Sequence, residues 1–330
     1  MLKIKDILII GIAVLLAGCS SDDIMTGGGL EASPNSDEWD IKPGDPVAFT
    51  LLPSVKAQTR EIVKDDSFDS YGAIEDGYEL TIEMFGTGAA SKGSAVYSVT
   101  GGTLNPKIPG SQLYWLDNTQ AYGFKATAGT TILETDQSNA TKLRSQDRLE
   151  GYAFVPLKDG ETKYYTEDVL NYKTSKEWKD DNATSGKTGE DLKKIPLYLK
   201  HKRSKITIIL KAGAGVARAT LATASNITMK IYSYQGSTTT EINPCASAAT
   251  VDYTDSDPGG AAAGVATTKY EAIVEPYNYQ TGDKIIAQIT LKGSGSEPDK
   301  TFTYKPSNGT GAYNLTAGQH LTITITLTTN

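Results

Sequence analysis

Leu321-Thr322-Ile323-Thr324-Ile325-Thr326-Leu327 alternates apolar and polar residues without a break. A period of two puts the apolar side chains on one face and the threonines on the other, which describes a strand with one buried and one wet face. The same spacing recurs upstream, in Val47, Phe49 and Leu51, and in Tyr78, Leu80, Ile82 and Met84 with Glu79, Thr81 and Glu83 between them. Ile206, Ile208 and Leu210 repeat it, as do Ile227, Met229 and Ile231, then Ile285, Ala287, Ile289 and Leu291. Turn formers separate these runs, among them Gly101-Gly102, Pro109-Gly110, Asp257-Pro258-Gly259 and Ser294-Gly295. Helical patterning is confined to residues 168–171 and 217–224, enough for short helices at most. Tyrosines (18) far outnumber phenylalanines (6) and tryptophans (3), and Thr and Gly are plentiful. That usage suits half-wet pleated surfaces joined by turns, as in an exported all-β protein. The expected architecture is two tandem antiparallel β-sandwiches.

Residues 20–44 contain Gly27-Gly28-Gly29, Pro34-Asn35-Ser36 and Pro43-Gly44 and cannot build a core. Residues 180–195 are polar and rich in small residues, and strand signals resume at Ile195. The expected division is a signal over 1–18, a flexible tether over 19–44, an N-terminal sandwich over 45–194 and a C-terminal sandwich over 195–330.

The beginning of the chain indicates export. Lys3 and Lys5 precede an apolar run over residues 7–16, and small residues then lead to Cys19. The run is too short and wrongly flanked for a spanning helix and reads as a cleaved signal. Leu16-Ala17-Gly18-Cys19 resembles the bacterial lipobox. That resemblance implies cleavage before Cys19, diacylglycerol on its thiol and a further acyl chain, such as palmitate, on the new amine. Each buried CH2 of such chains contributes ~0.8 kcal/mol, so anchoring would be stable. Ser20-Ser21-Asp22-Asp23 resembles the acidic run that directs Bacteroidetes lipoproteins to the outer face of the outer membrane. Loss of the signal removes Lys3, Lys5 and Asp6 and takes the formal charge from −7 to about −8. An acidic chain without basic clusters is a poor partner for nucleic acid. Cys245 is the only cysteine besides Cys19, so no internal disulfide is expected.

Candidates for chemistry are few. The histidines are His201 and His320, both in strand-like segments, and with Cys245 they make no zinc cluster. Cys245 follows Asn243-Pro244, a turn context rather than that of a nucleophile. Asp252, Asp255 and Asp257 could hold calcium, but an Asx-rich turn accounts for them better. Glu75 with Asp76, or Asp147 with Glu150, could in principle form a glycosidase pair, although such residues usually lie on solvated faces. No catalytic motif is found, so neither an enzyme nor a cofactor is expected. Tyr164-Tyr165, Trp178 and Tyr277-Asn278-Tyr279 could supply an aromatic platform, the basis of an alternative reading as a non-polymerising, glycan-binding surface lipoprotein.

An ordered set of segments carries a family resemblance. Val47-Ala48-Phe49, Thr59-Arg60 and Asp76-Gly77-Tyr78-Glu79-Leu80 come first, then Tyr114-Trp115 and Tyr122-Gly123-Phe124-Lys125-Ala126. Leu197-Tyr198-Leu199-Lys200-His201, continuing to Lys205-Ile206, is the most specific piece. Ala272-Ile273-Val274-Glu275-Pro276 and Tyr313-Asn314-Leu315-Thr316-Ala317-Gly318 close the set. Together they resemble the fimbrillin-like lipoproteins of Bacteroidales, the subunits of the type V pilus. Leu199 stands where the family has Phe, and Leu321 where it has Tyr.

The resemblance implies two transthyretin-like sandwiches and a surface-exposed, lipid-anchored protein of the cell outer membrane and fimbrium that serves cell adhesion. It also implies cleavage after an arginine, carried over here to Arg60, and release of the first strand, with Val47, Phe49 and Leu51. A strand of another pilus subunit would then fill the groove by β-strand addition. The implied partners are other pilus subunits, the outer membrane and a host or bacterial surface ligand. Stalk subunits of the family continue well beyond the closing strand to provide a donor. Here Asn330 follows that strand closely, so a tip or accessory subunit is expected.

Overall fold

The computed structural model describes residues 40–51, 74, 76–153, 169–280, 284–293, 295–306 and 313–329. Among them the chain is built mainly of strands, and its buried apolar side chains fall into two clusters.

The first cluster is wrapped by a seven-stranded sheet of order β1-β7-β6-β5-β2-β3-β4. Its strands are β1 (Ala48–Leu51), β2 (Glu79–Gly86), β3 (Ala90–Thr100), β4 (Thr103–Pro106), β5 (Tyr122–Ala128), β6 (Leu149–Ala153) and β7 (Lys194–His201). Alternation places Leu80, Ile82 and Met84 of β2 inside with Tyr97 and Val99 of β3 and Phe124 and Ala126 of β5. Gly101 and Gly102 both have positive φ, which lets a two-residue turn join β3 to β4 with the twist that a hairpin requires. The sheet folds over on itself, because Phe49 of β1 touches Tyr97 of β3 although the strands lie far apart in the strand order.

The second cluster lies between two four-stranded sheets, of orders β10-β9-β14-β15 and β11-β12-β8-β17. The strands here are β8 (Ser204–Ala212), β9 (Ile227–Gln235), β10 (Thr238–Ile242), β11 (Cys245–Tyr253), β12 (Ala262–Val274), β13 (Tyr277–Asn278), β14 (Ala287–Leu291), β15 (Lys300–Tyr304), β16 (Asn314–Leu315) and β17 (His320–Leu327). Ile206, Ile208 and Leu210 face Ile227, Met229 and Ile231 across the core, joined by Ile323, Ile325 and Leu327 of β17. Full burial of each such side chain contributes about 1.5–3 kcal/mol.

Two expectations need correction. The chain passes from the first cluster to the second after His201, not at residue 194. Strand β7 pairs with β6 and β1, and Ile195, Leu197 and Leu199 belong to the first core. Alternation announces the strand at Ile195 but not the sheet that it joins. Two pairings are also parallel, β1 with β7 and β8 with β17. In each half the opening strand lies beside the closing strand, and the elements between them supply the long crossover that parallel neighbours need.

The helices are short. Helix α1 (Ala140–Gln146) is capped by Asn139, whose side chain accepts the Lys142 N–H at 3.0 Å. Helix α2 (Ser175–Thr184) begins with a capping box between Thr174 and Glu177 and buries Trp178 against the first core. Helix α3 (Arg218–Leu221) falls within the expected 217–224, whereas 169–171 are not helical.

Candidate functional site

Strand β1 and its surroundings form the candidate site. β1 is an end strand of its sheet, and it is held in two stages. Before the strand proper, residues 44–47 run antiparallel to an extended segment at 113–115. The N–H of Gly44 donates to Trp115 O at 2.7 Å, that of Trp115 to Asp45 O at 3.0 Å, and that of Val47 to Leu113 O at 2.8 Å. Ala48–Leu51 then pair in parallel with residues 194–197 of β7. Thr50 stands opposite Pro196, which can supply no ladder N–H at its position.

The side chains alternate as expected. Val47 is 2% exposed and Phe49 5%, while Leu51 is half-buried against the same cluster. Phe49 stands edge-on to both Tyr97 and Phe124, with ring centroids 5.3 Å away in each case. Trp115 meets Phe124 edge-on at 5.8 Å and Tyr122 at 6.0 Å. The Tyr97 hydroxyl accepts the Leu113 N–H at 3.0 Å, and burial pushes its pKa up. Tyr122 is pushed up to about 12, chiefly by burial and then by the hydrogen bond that its hydroxyl donates to Asp117 at 2.7 Å. The face beneath β1 is therefore an apolar trough with an aromatic box at its centre. Cys19 and Arg60 lie outside the described residues.

At the opposite end of the chain, β17 pairs with β8 over its whole length and buries Ile323, Ile325 and Leu327. Its end is tied down where Gly213 N–H donates to Leu327 O at 2.7 Å and Thr329 N–H to Ala214 O at 2.8 Å.

The other candidates do not converge. His201 Nδ1 lies 2.8 Å from Asp147 Oδ1, and Tyr78 donates to the other oxygen of that carboxylate. Asp147 is fully buried, which corrects the expectation of a solvated carboxylate, whereas Glu150 pairs with Lys125 at 3.2 Å. Glu75 lies outside the described residues, and Asp76 accepts the Gly102 N–H at 3.3 Å. His320 Nε2 is 2.7 Å from Thr207 Oγ1. Cys245 is buried, and its thiol is pushed up by that burial. Asp257 accepts from Lys211 and from Thr254, and Asp252 from the Gly264 N–H, so the acidic loop is a set of turns. Among the described residues no group of three or more His, Cys, Asp or Glu is placed to hold a metal.

The aromatic platform also fails to form from its described members. Trp178 is 1% exposed and Tyr279 is fully buried, with its hydroxyl donating to Tyr232 O at 2.9 Å. Tyr277 is half-buried against Tyr234 at 5.0 Å. Tyr164 and Tyr165 lie outside the described residues.

A solved structure from Bacteroides uniformis, a candidate cell adhesion protein, is 19% identical over 77% of this chain and 88% of its own, with a TM-score of 0.46. A fimbrial protein from Bacteroides ovatus is 12% identical over 88% of this chain and 51% of its own, with a TM-score of 0.40. The fimbrial anchor protein Mfa2 from Porphyromonas gingivalis is 8% identical over 67% of this chain and 72% of its own, with a TM-score of 0.27. No curated protein matches. A family profile described as fimbrillin-like matches residues 24–330, nearly the whole chain, and the chain therefore belongs to the fimbrillin-like family.

Proposed function

We propose that this chain is a fimbrial subunit, at the tip or in an accessory position, that is anchored through lipid on Cys19 and assembles by exchange of its first strand. Membership of the fimbrillin-like family is membership of a fimbrial, cell-adhesion group. In the finer reading, cleavage after Arg60 frees β1 and a strand of a neighbouring subunit replaces it. One observation carries this. β1 is an end strand held by a short parallel pairing and a few loop hydrogen bonds, yet it fills a deep apolar trough with Val47 and Phe49. Loss of a strand of this kind exposes unpaired backbone groups and apolar surface, and an incoming strand restores both. At roughly 1.5–3 kcal/mol for each buried apolar side chain, a replacement would be held firmly.

The test is an immunoblot of boiled and unboiled samples from intact cells, with N-terminal sequencing of each band. High-mass species that collapse on boiling and begin at Glu61 are expected. A single band that keeps the Cys19 terminus under both treatments would overturn exchange and favour a free-standing lipoprotein.

A further inference from the structure

We infer that the strand which takes the place of β1 carries an aromatic side chain at the position of Phe49, so that this subunit selects its partner through an aromatic anchor. The inference rests on the reading of β1 as the exchanged strand. It starts from the difference between the three side chains that β1 lends to the core. Val47 is an ordinary aliphatic contact and Leu51 is half-buried. Phe49 is enclosed by rings, edge-on to Tyr97 and Phe124, and Trp115 extends the set beyond Phe124.

Edge-to-face pairs at these distances attract beyond the area that they bury, because the positive edge of one ring meets the negative face of the other. The box is also built from residues that would stay behind. Tyr97 lies on β3 and is fixed by the Leu113 N–H, and Phe124 lies on β5 with no exposure. Departure of β1 therefore leaves a slot whose walls are shaped for a flat ring. An aliphatic side chain would leave part of the slot empty, and an unfilled cavity loses contacts that nothing else restores.

This distinguishes donors. Residues 321–327 of this chain present only Leu and Ile at alternate positions. A second copy offering that segment would fill the trough but not the box. The favoured partner is a different subunit whose donor strand has an aromatic residue flanked, two positions either side, by aliphatic ones.

Exchange into the cut protein tests this. The recombinant chain is cleaved within residues 52–73 and incubated, in urea below the unfolding transition, with labelled peptides of residues 45–52. One peptide is native, one carries Phe49→Leu and one Phe49→Ala, and a fourth spans residues 320–328. The native peptide should enter. The Leu variant should bind about tenfold more weakly and the Ala variant about a hundredfold more weakly. The 320–328 peptide should bind no better than the Leu variant. Equal binding of the native and Leu peptides overturns the aromatic anchor and leaves strand exchange standing. If no peptide enters, strand exchange itself fails and takes the anchor with it.

Discussion

The guanidinium of Arg203 and the carboxylate of Glu275 meet at 2.7 Å (Nε to Oε1), with the arginine side chain only 1% exposed. Arg203 lies between β7 and β8, where the chain leaves the first core for the second, and Glu275 directly follows β12. The arginine also donates to Gln146 O at 2.8 Å and to Thr131 O at 3.1 Å. Beside it, the Gln137 side chain acts like a strand neighbour, accepting the Ile273 N–H at 2.8 Å and donating to Ile273 O at 2.9 Å. The segment between β5 and β6 is thus bonded to the second half of the molecule through buried polar groups. Removing one member of a buried pair leaves an uncompensated charge. Glu275→Leu should therefore cost about 3 kcal/mol, and combining it with Arg203→Met should cost less than the two single changes summed. Urea denaturation of the four proteins measures this, and additive costs would mean that the pair is not coupled.

Gly151 of β6 sits against β7 so closely that a Cβ there would lie 2.0 Å from Tyr198 O. The obstacle is backbone and cannot turn aside without breaking the β6–β7 ladder. Gly151→Ala should lower the melting temperature far more than Gly110→Ala. Gly110 has φ +82° and nothing within 4 Å of the added carbon, so only the left-handed backbone cost of about 1–2 kcal/mol applies. Equal shifts for the two variants would show that β6 can move away from β7.

Much of this fold is readable in advance, for a reason visible in residues 321–327. A strand with one wet face writes its burial directly into alternate residues, and Ile323, Ile325 and Leu327 are buried while Thr322, Thr324 and Thr326 are not. What alternation omits is the neighbour. Ile195, Leu197 and Leu199 announce a strand equally well in either core, and only the pairing with β6 assigns it to the first. Parallel and antiparallel partners likewise demand the same alternation. Helix α2 was hidden by its polarity, although Thr174 followed by Glu177 is a capping signal that could have revealed it. Of the candidate site, the inward set Val47, Phe49 and Leu51 was legible. The aromatic box was not, because Tyr97, Trp115 and Phe124 come from three separate segments.

The carboxyl of Asp257 is held down to about 2, first by Lys211 at 2.8 Å and then by the Thr254 N–H at 2.6 Å. Its folded value lies below the ordinary unfolded value of ~3.9, so its contribution to stability is present above that pH and is lost as pH falls toward about 2. Asp257→Asn should unfold in less urea than the parent at pH 6, and the difference should shrink through pH 4 to pH 2. A difference that stays constant would mean that the ionised carboxylate is not what stabilises the loop. Calcium should leave the parent's midpoint unchanged, since this carboxylate is already engaged. A calcium-dependent rise would restore the metal reading of the acidic loop.

If β1 is a separable unit, weakening it should loosen its immediate partners before the rest of the molecule. Phe49→Ala removes a ring that is 5% exposed, and truncation of a buried Phe costs about 3–5 kcal/mol. Thr50 lies on the other face of the strand, so Thr50→Ala should stay within about 0.5 kcal/mol. Hydrogen exchange shows where the loss is felt. In Phe49→Ala the amides of Val47 and Trp115, which bond residues 45–47 to the segment at 113–115, should exchange faster, as should those of β7 that pair with β1. Amides of β8, β12 and β17 should keep the parent's protection, because their ladder belongs to the second core. Acceleration confined to the first group means that β1 leaves as a local opening, the state from which a foreign strand could enter. Equal acceleration everywhere would mean that β1 departs only when the whole molecule unfolds, and a subunit built that way could not exchange its first strand while folded.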